Sequence, residues 1–380
     1  MNKSPLALSF GGLLAMAAGI GIGRFVYTPI LPPMVEALHL SKSEAGLIAS
    51  ANFVGYFAGA LLAAMRLPGS RRAWLLGALL INVICLAAMG ATESFALFLV
   101  LRAIAGLVSA FVLIFASALV LDRLAAAGRG GLSAMHFAGV GTGIAASAAL
   151  VAILVASGHD WRTMWEASAA LALVAGLVVI LLVPPATAAQ VAASHRSSGL
   201  PKGFVALAMA YGLFGFGYII TATFIVAMVR GSKEIAPLEP YIWVMFGLSA
   251  APSVALWTRL GAHWGILRTY AIAALVEAAG VAASALWMTS ATVIAASLLV
   301  GGTFMGLTAL GLIGARHGDG DPRGRIALMT AAFSFGQILG PSFAGYVFDL
   351  TGSFSLPSLC AAAALVVAAG LAALSSAEQG

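Results

Sequence analysis

Residues 21–35 read GIGRFVYTPILPPMV, and residues 215–229 read GFGYIITATFIVAMV. At an offset of 194 positions Gly21, Gly23, Met34 and Val35 fall on Gly215, Gly217, Met228 and Val229. A second pair keeps the same offset: AMHFAGVGTGIAAS at 134–147 meets LMTAAFSFGQILGP at 328–341, with Met135 on Met329. Both pairs are apolar and long enough to sit inside membrane helices, so the chain reads as two related halves. Parallel membrane repeats of this kind put a binding site at the interface between halves, reached alternately from either side.

Composition agrees with a lipid environment. Hydrophobic residues make up 62% of the 380 positions and charged residues 8%, against roughly 45–50% apolar in soluble domains, and the mean hydropathy is +1.05. The 19 Lys and Arg are scattered between apolar runs and form no basic stripe, which argues against a nucleic-acid partner. Apolar runs of membrane length occur near 7–30, 45–65, 74–91, 95–121, 132–156, 164–184, 203–229, 241–258, 269–288, 291–314, 327–348 and 356–375. The expected fold is therefore an all-α membrane protein of twelve helices in two pseudo-symmetric six-helix bundles. Its bundles cover 1–184 and 203–380, joined by a polar linker at 185–202.

Twelve spans put both termini on one side. With that side inside, Lys3, Arg66, Arg71, Arg72, Arg123, Arg129, Arg196, Lys202, Arg259, Arg268, Arg316, Arg323 and Arg325 are internal, against Lys42, Arg162, Arg230 and Lys233 outside. This bias predicts cytoplasmic termini in a bacterial inner membrane. The N-terminal run exceeds signal-peptide length and is mirrored in the second half, so it reads as helix 1. Cys85 and Cys360 lie in apolar runs and suggest neither disulfide nor metal site, and no cofactor is expected. A GxxxxGK[ST] run is absent, which leaves gradients as the energy source.

Several motifs resemble the major facilitator superfamily. RLPGSRRAWL at 66–75, following Gly59, resembles a degraded form of its loop signature, with Arg71 and Arg72 in place and the usual acid missing. RLGAHWGILR at 259–268 resembles the counterpart in the second half, and Arg102 with Gly106 in LRAIAGLVSA resembles the superfamily's Arg-containing motif in helix 4. More narrowly, GIGRFVYTPILP, GLFGFGYIITATF, GGTFMGLTALG and FGQILGP are similar to the bacterial YbfB/YjiJ-like branch. The resemblance implies alternating access and a cavity lined by helices 1, 2, 4, 5, 7, 8, 10 and 11. It also makes helix 9 peripheral.

Ionisable residues inside apolar runs are costly and mark function. Arg24, Arg102, His136 and Glu277 qualify. Arg24 suits a carboxylate, because a guanidinium fork matches two oxygens, and Tyr27 and Thr28 share its expected face at i+3 and i+4. Arg102 is divided between gating and anchoring at the outer surface. His136 and Glu277 are candidate proton carriers, with helical packing as the alternative for each. Arg71 and Arg72 are candidates for gating. Thr330, the repeat mate of His136, begins a polar stripe with Ser334 and Gln337, and Asn52, Tyr56, Tyr218, Thr221 and Phe304 complete the expected substrate surroundings. Prolines 29, 32 and 33 are expected to interrupt helix 1 near its outer end.

Across the cavity helices the mid-membrane charges are Arg24 and Arg102 with no carboxylate, a balance that attracts anions. The expected activity is symport of a small organic acid with a proton, by a monomer in the lipid bilayer. Efflux of amphipathic drugs or metabolites is the rival. An enzyme is not expected, since no catalytic pair is present: Ser109 and His136 have no sequence-supported partnership.

Overall fold

The structure is a computed structural model, and it describes residues 4–65, 67–184, 201–316 and 322–379. Its helices are α1 (Pro5–Leu38), α2 (Lys42–Ala64), α3 (Arg71–Gly90), α4 (Phe95–Ala126), α5 (Ser133–Ala156) and α6 (Trp161–Leu182) in the first half. The second half holds α7 (Phe204–Arg230), α8 (Ala236–Ala250 continued by Ser253–Trp264), α9 (Ile266–Leu286), α10 (Ser290–Gly314), α11 (Pro322–Thr351) and α12 (Ser355–Gln379). Eleven are long and apolar enough to cross a membrane among the described residues. The twelfth span is α8, bent by 41° between its two pieces, where Ala251 and Pro252 interrupt the helix. Most of the expected linker, and Lys3, Arg66 and Arg196 of the charge bias, lie outside the described residues.

Helix starts at the turns are fixed by side-chain caps. Ser41 and Glu44 form a reciprocal capping box on α2, Ser94 caps α4, and Thr289 with Thr292 caps α10. Each side-chain oxygen satisfies an N–H that the first turn leaves unbonded, worth about 1 kcal/mol.

The break in α1 differs from the expected one. Regular helix ends at Met16, Ala17–Ile22 widens to a π-helix, residues 23–26 form a turn, and α-helix resumes at Tyr27 and runs through Pro32 and Pro33 to Leu38. Pro29 costs little because it falls in the first turn of the resumed helix, where an N–H has no intrahelical acceptor. The glycines are what the break requires. A Cβ at Gly19 would strike Val112 on α4, one at Gly21 the backbone of Val140 and Gly143 on α5, and one at Gly23 the Asn82 amide on α3. This stretch is therefore pressed from three sides at once.

The carbonyls of the broken stretch are satisfied by neighbouring helices, as a membrane interior demands. Asn82 Nδ2 donates to Ala18 O at 3.1 Å, Arg102 Nη1 to Gly23 O at 3.2 Å and Arg102 Nη2 to Arg24 O at 3.0 Å. Trp243 Nε1, from the second half, donates to Phe25 O at 3.1 Å.

The halves join along α2 with α11, α5 with α8, and the Tyr27–Leu38 part of α1 with α7. Thr28 Oγ1 donates to Ala222 O at 2.8 Å, and these residues are 194 positions apart. Repeat-equivalent positions thus meet, as they must near a pseudo-twofold axis. At the end opposite the chain termini, Asp349 accepts the free N–H groups of Lys42 at 3.1 Å and Ser43 at 2.8 Å, so α11 caps the N-terminus of α2. Arg230 pairs with Glu36 at 3.2 Å and Glu239 at 3.5 Å. One turn or two deeper, Ser50 Oγ donates to Ile338 O at 2.7 Å and accepts from Ser342 Oγ at 2.8 Å.

Glycines allow this end to close. A Cβ at Gly247 would collide with the backbone of Gly141 and Ala145, and one at Gly345 with the carbonyl of Lys42. Substituting Gly247→Leu is therefore expected to hold the seal open. Val226 lines the crevice of about 20 Å³ between α1, α5, α7 and α8 at this end, and a cysteine placed there reports the change. Labelling of Val226→Cys by an impermeant maleimide should rise about tenfold with Gly247→Leu, a shift of ~1.4 kcal/mol; unchanged labelling would mean that the crossing tolerates bulk.

Candidate substrate cavity

On the other side of the seal, between the halves, lies a cavity of about 120 Å³. Its first-half wall comes from Met16, Ile20, Arg24 and Phe25 of α1, Tyr56 of α2, Leu113 of α4, and Phe137 and Val140 of α5. The second half contributes Tyr218 of α7, Val254 of α8, Phe304, Met305, Thr308, Ala309 and Leu312 of α10, and Phe333 and Gln337 of α11. Arg24 is the single charged residue in this lining among the described residues.

Arg24 projects from the broken part of α1 and is 6% exposed. Its guanidinium carbon lies 4.2 Å from the Tyr56 ring centroid, 5.0 Å from Phe53 and 5.5 Å from Phe25. Ring faces attract a cation but accept no directed hydrogen bonds of ordinary strength. Nε and Nη2 find no acceptor among the described residues. A buried N–H without a partner costs more than one exposed to water.

The opposite wall is aromatic. Tyr218 lies between Phe304 (centroids 5.5 Å, planes 12° apart) and Phe333 (5.9 Å, 4° apart). Gln337 Nε2 hydrogen-bonds the Tyr218 hydroxyl, while Gln337 Oε1 has no partner.

Of the expected substrate residues, the structure brings Arg24, Tyr56, Tyr218, Phe304 and Gln337 to this cavity. The others lie elsewhere. Tyr27 donates its hydroxyl to Ala45 O at 2.9 Å, under the Arg102 guanidinium at 5.0 Å. Thr28 is taken by Ala222, and Asn52 Nδ2 by Arg102 O at 3.0 Å. Thr330 bonds its own helix at Ile326 O, while Thr221 and Ser334 are buried with unpartnered hydroxyls outside the cavity lining.

The coupling candidates are spread out as well. Arg102 is 2% exposed and turns inward to cap the α1 break, so anchoring at the outer surface does not describe it. His136 Nε2 lies 3.1 Å from Ser117 Oγ, with its ring against Gly12 of α1. Glu277 is buried between α9 and α10, where its Oε2 accepts from Thr303 Oγ1 at 2.7 Å and its Oε1 has no partner. Arg72 caps the end of α6, donating to Val183 O at 2.8 Å and Ile180 O at 2.7 Å, and Arg71 pairs with Asp122 at 3.5 Å. Both loop arginines thus brace the first half internally. The residues that sequence reasoning missed include Phe333, Thr308, Met16 and Ile20. Phe333 stands one turn before Gln337 and Thr308 one turn after Phe304, while Ile20 and Met16 continue the Arg24 face backward in steps of four; extending each polar candidate along its own helix face would have found them.

Residues 16–373 match the family model described as "Uncharacterised MFS-type transporter YbfB". The chain belongs to this transporter family. No curated protein sequence matches the transporter. Among solved structures, a mutant of the nucleoside transporter NupG superposes with a TM-score of 0.73 at 14% identity, covering 98% of this chain and 100% of that one. A bacterial homologue of the human lysosomal transporter Spinster, captured inward-facing and unoccupied, gives 0.69 at 15% identity, with 100% and 97% covered. These likenesses establish the major facilitator fold. The family and the fold neighbours are transporters, not enzymes.

Proposed function

We propose that the protein is a secondary active transporter of a small organic anion, a carboxylate carried together with a proton by alternating access. The observation that carries this reading is the buried Arg24 guanidinium, which lines the cavity between the halves with two nitrogens unpartnered. The lining offers no carboxylate to neutralise it. A solute carboxylate completes the missing hydrogen bonds and the missing charge together, whereas an organic cation meets only repulsion.

The charge of the lining disfavours the rival for cationic compounds, because no acid lines the cavity to receive them. We further place the transporter in the bacterial inner membrane with cytoplasmic termini, so that the sealed end faces outward and the cavity belongs to an inward-facing state. Proton symport makes uptake of an anion electrically favourable in a cell that is negative inside. Glu277 and His136 are the buried protonatable groups available for coupling. Glu277→Gln is expected to keep carboxylate binding within about threefold but to flatten the dependence of uptake on an imposed pH gradient. Uptake still driven by the gradient in Glu277→Gln would remove Glu277 from the coupling path.

The test of the reading is thermal stabilisation of the purified protein by carboxylates, sugars, amines and drugs at two pH values. Carboxylates are expected to raise the Tm. Stabilisation confined to neutral or cationic amphiphiles would favour efflux instead.

A further inference from the structure

We propose that Trp243 is the gate between the cavity and the sealed end, and that its indole N–H is the latch that holds this gate shut. Solute crosses the seal where the indole now stands, between α1, α5, α7 and α8.

Trp243 belongs to both sides of the seal. It lines the crevice at the sealed end together with Pro29, Val226 and Glu239. Its ring also meets Phe25 at 6.4 Å between centroids, and Phe25 lines the cavity. Further ring contacts close a circuit: Trp243 stacks on Phe246 at 4.3 Å, Phe246 meets Phe304 at 5.4 Å, and Phe304 returns to Phe25 at 5.9 Å. All four residues are buried. Phe25 comes from the first half and the other three from the second, so parting the halves here breaks both contacts of Phe25. Crevice and cavity are then separated by nothing more than the pair Phe25 and Trp243.

The sequence explains why an indole closes this point. Phe25 O lies just before the resumed helix of α1, and the residue four positions on is Pro29, which has no N–H to offer it. Thr28 N–H reaches that carbonyl at 3.3 Å, and Trp243 Nε1 supplies a second donor at 3.1 Å from the other half. Gly247 stands four residues after Trp243 on the same face of α8, and its missing Cβ lets that face approach Gly141 and Ala145 of α5. The close crossing brings the indole within reach of α1.

The indole bond exists only while the halves meet at this end. Once they part, water solvates carbonyl and indole alike, so the bond favours the sealed state and contributes nothing to the open one. Opening releases the Phe25 peptide. The neighbouring Arg24 carbonyl stays held by Arg102, which belongs to the same half, so the gate moves without dismantling the site beside it.

Maleimide labelling of the purified full-length protein without solute tests this, in a Cys85→Ala, Cys360→Ala background. Single cysteines replace Val226, in the crevice, or Leu312, which lines the cavity near the end of α10 that faces the chain termini. Trp243→Phe keeps a ring but deprives Phe25 O of its second donor, and is expected to raise Val226→Cys labelling about fivefold with no rise at Leu312→Cys. Trp243→Leu removes the ring as well and should go further in the same direction. Phe246→Leu takes away the ring on which the indole stacks and should also raise Val226→Cys labelling alone, a second reading that leaves Trp243 in place. Unchanged Val226→Cys labelling in folded Trp243→Phe, or increases at both cysteines, would overturn the inference. No solute enters the assay, so its result is independent of the anion reading of Arg24.

Discussion

Replacing Arg24 with alanine is expected to weaken carboxylate binding by roughly 30-fold to several thousand-fold. That range is the ~2–5 kcal/mol lost when one partner of a desolvated, hydrogen-bonded charge pair is truncated. The effect is large because the described lining has no second cation to take over, and the ring faces of Phe25, Phe53 and Tyr56 around the guanidinium offer an anion nothing favourable. Stability should not fall in parallel. Arg24 makes ring contacts and leaves Nε and Nη2 unbonded, so removing it relieves a buried, incompletely solvated charge. The unliganded Tm of Arg24→Ala is expected to match or exceed that of the wild type, while the Tm rise with carboxylate disappears. Arg24→Lys should recover part of the binding, since it restores the charge without the two-pronged donor geometry. A purified Arg24→Ala protein that binds carboxylates like the wild type would contradict the role given to this residue.

The second large effect is expected at Arg102. Its guanidinium spans the carbonyls of Gly23 and Arg24, which the π-helical break leaves without ordinary helical donors, and it stacks over Tyr27. Arg102→Leu leaves both carbonyls unsatisfied in a dry interior, at roughly 1–3 kcal/mol each. The broken segment must then shift to find donors, and Arg24 moves with it. Carboxylate binding is expected to weaken about 10- to 100-fold although Arg102 does not line the cavity. Arg102→Lys, with one compact ammonium that cannot hold both carbonyls in a fixed fork, should fall between. The distinguishing measurement is binding by well-folded Arg102→Lys: unchanged affinity with a lowered Tm would make Arg102 purely structural. Trp243→Phe removes the corresponding donor to Phe25 O from the second half and should weaken binding by a smaller factor in the same direction.

The repeat was the most legible feature of the chain. Matching glycines and methionines at an offset of 194 implied related halves, and the contact between Thr28 and Ala222 at that same separation is its spatial counterpart. The twelve runs were legible too, because a membrane imposes length and apolarity on every span. Details of α1 were harder to read. Prolines draw attention as helix breakers, yet Pro29 occupies a first turn where its missing N–H costs nothing, and the break follows glycines whose role depends on neighbours distant in sequence. That break also explains why Tyr27 and Thr28 leave the face of Arg24: the i+3 and i+4 rule presumes regular helix, and the turn at 23–26 rotates the following residues toward α2 and α7. Where helices stay regular, as for Phe304 in α10 and Gln337 in α11, candidates read from sequence reach the cavity. Thr330 and Ser334 precede Gln337 by seven and three positions, and the part of that stripe lining the cavity is Gln337 with Phe333.

The proposed transport cycle depends on an anion held by Arg24 between two halves that alternate. Counterflow in proteoliposomes tests this most directly, with radiolabelled carboxylate outside and excess unlabelled carboxylate inside, using whichever carboxylate stabilises the protein best. Wild-type vesicles should accumulate label transiently and saturably, and Arg24→Ala vesicles with equal protein content should not. Accumulation by Arg24→Ala equal to the wild type, or no accumulation by wild-type protein that binds the same carboxylate, would contradict it.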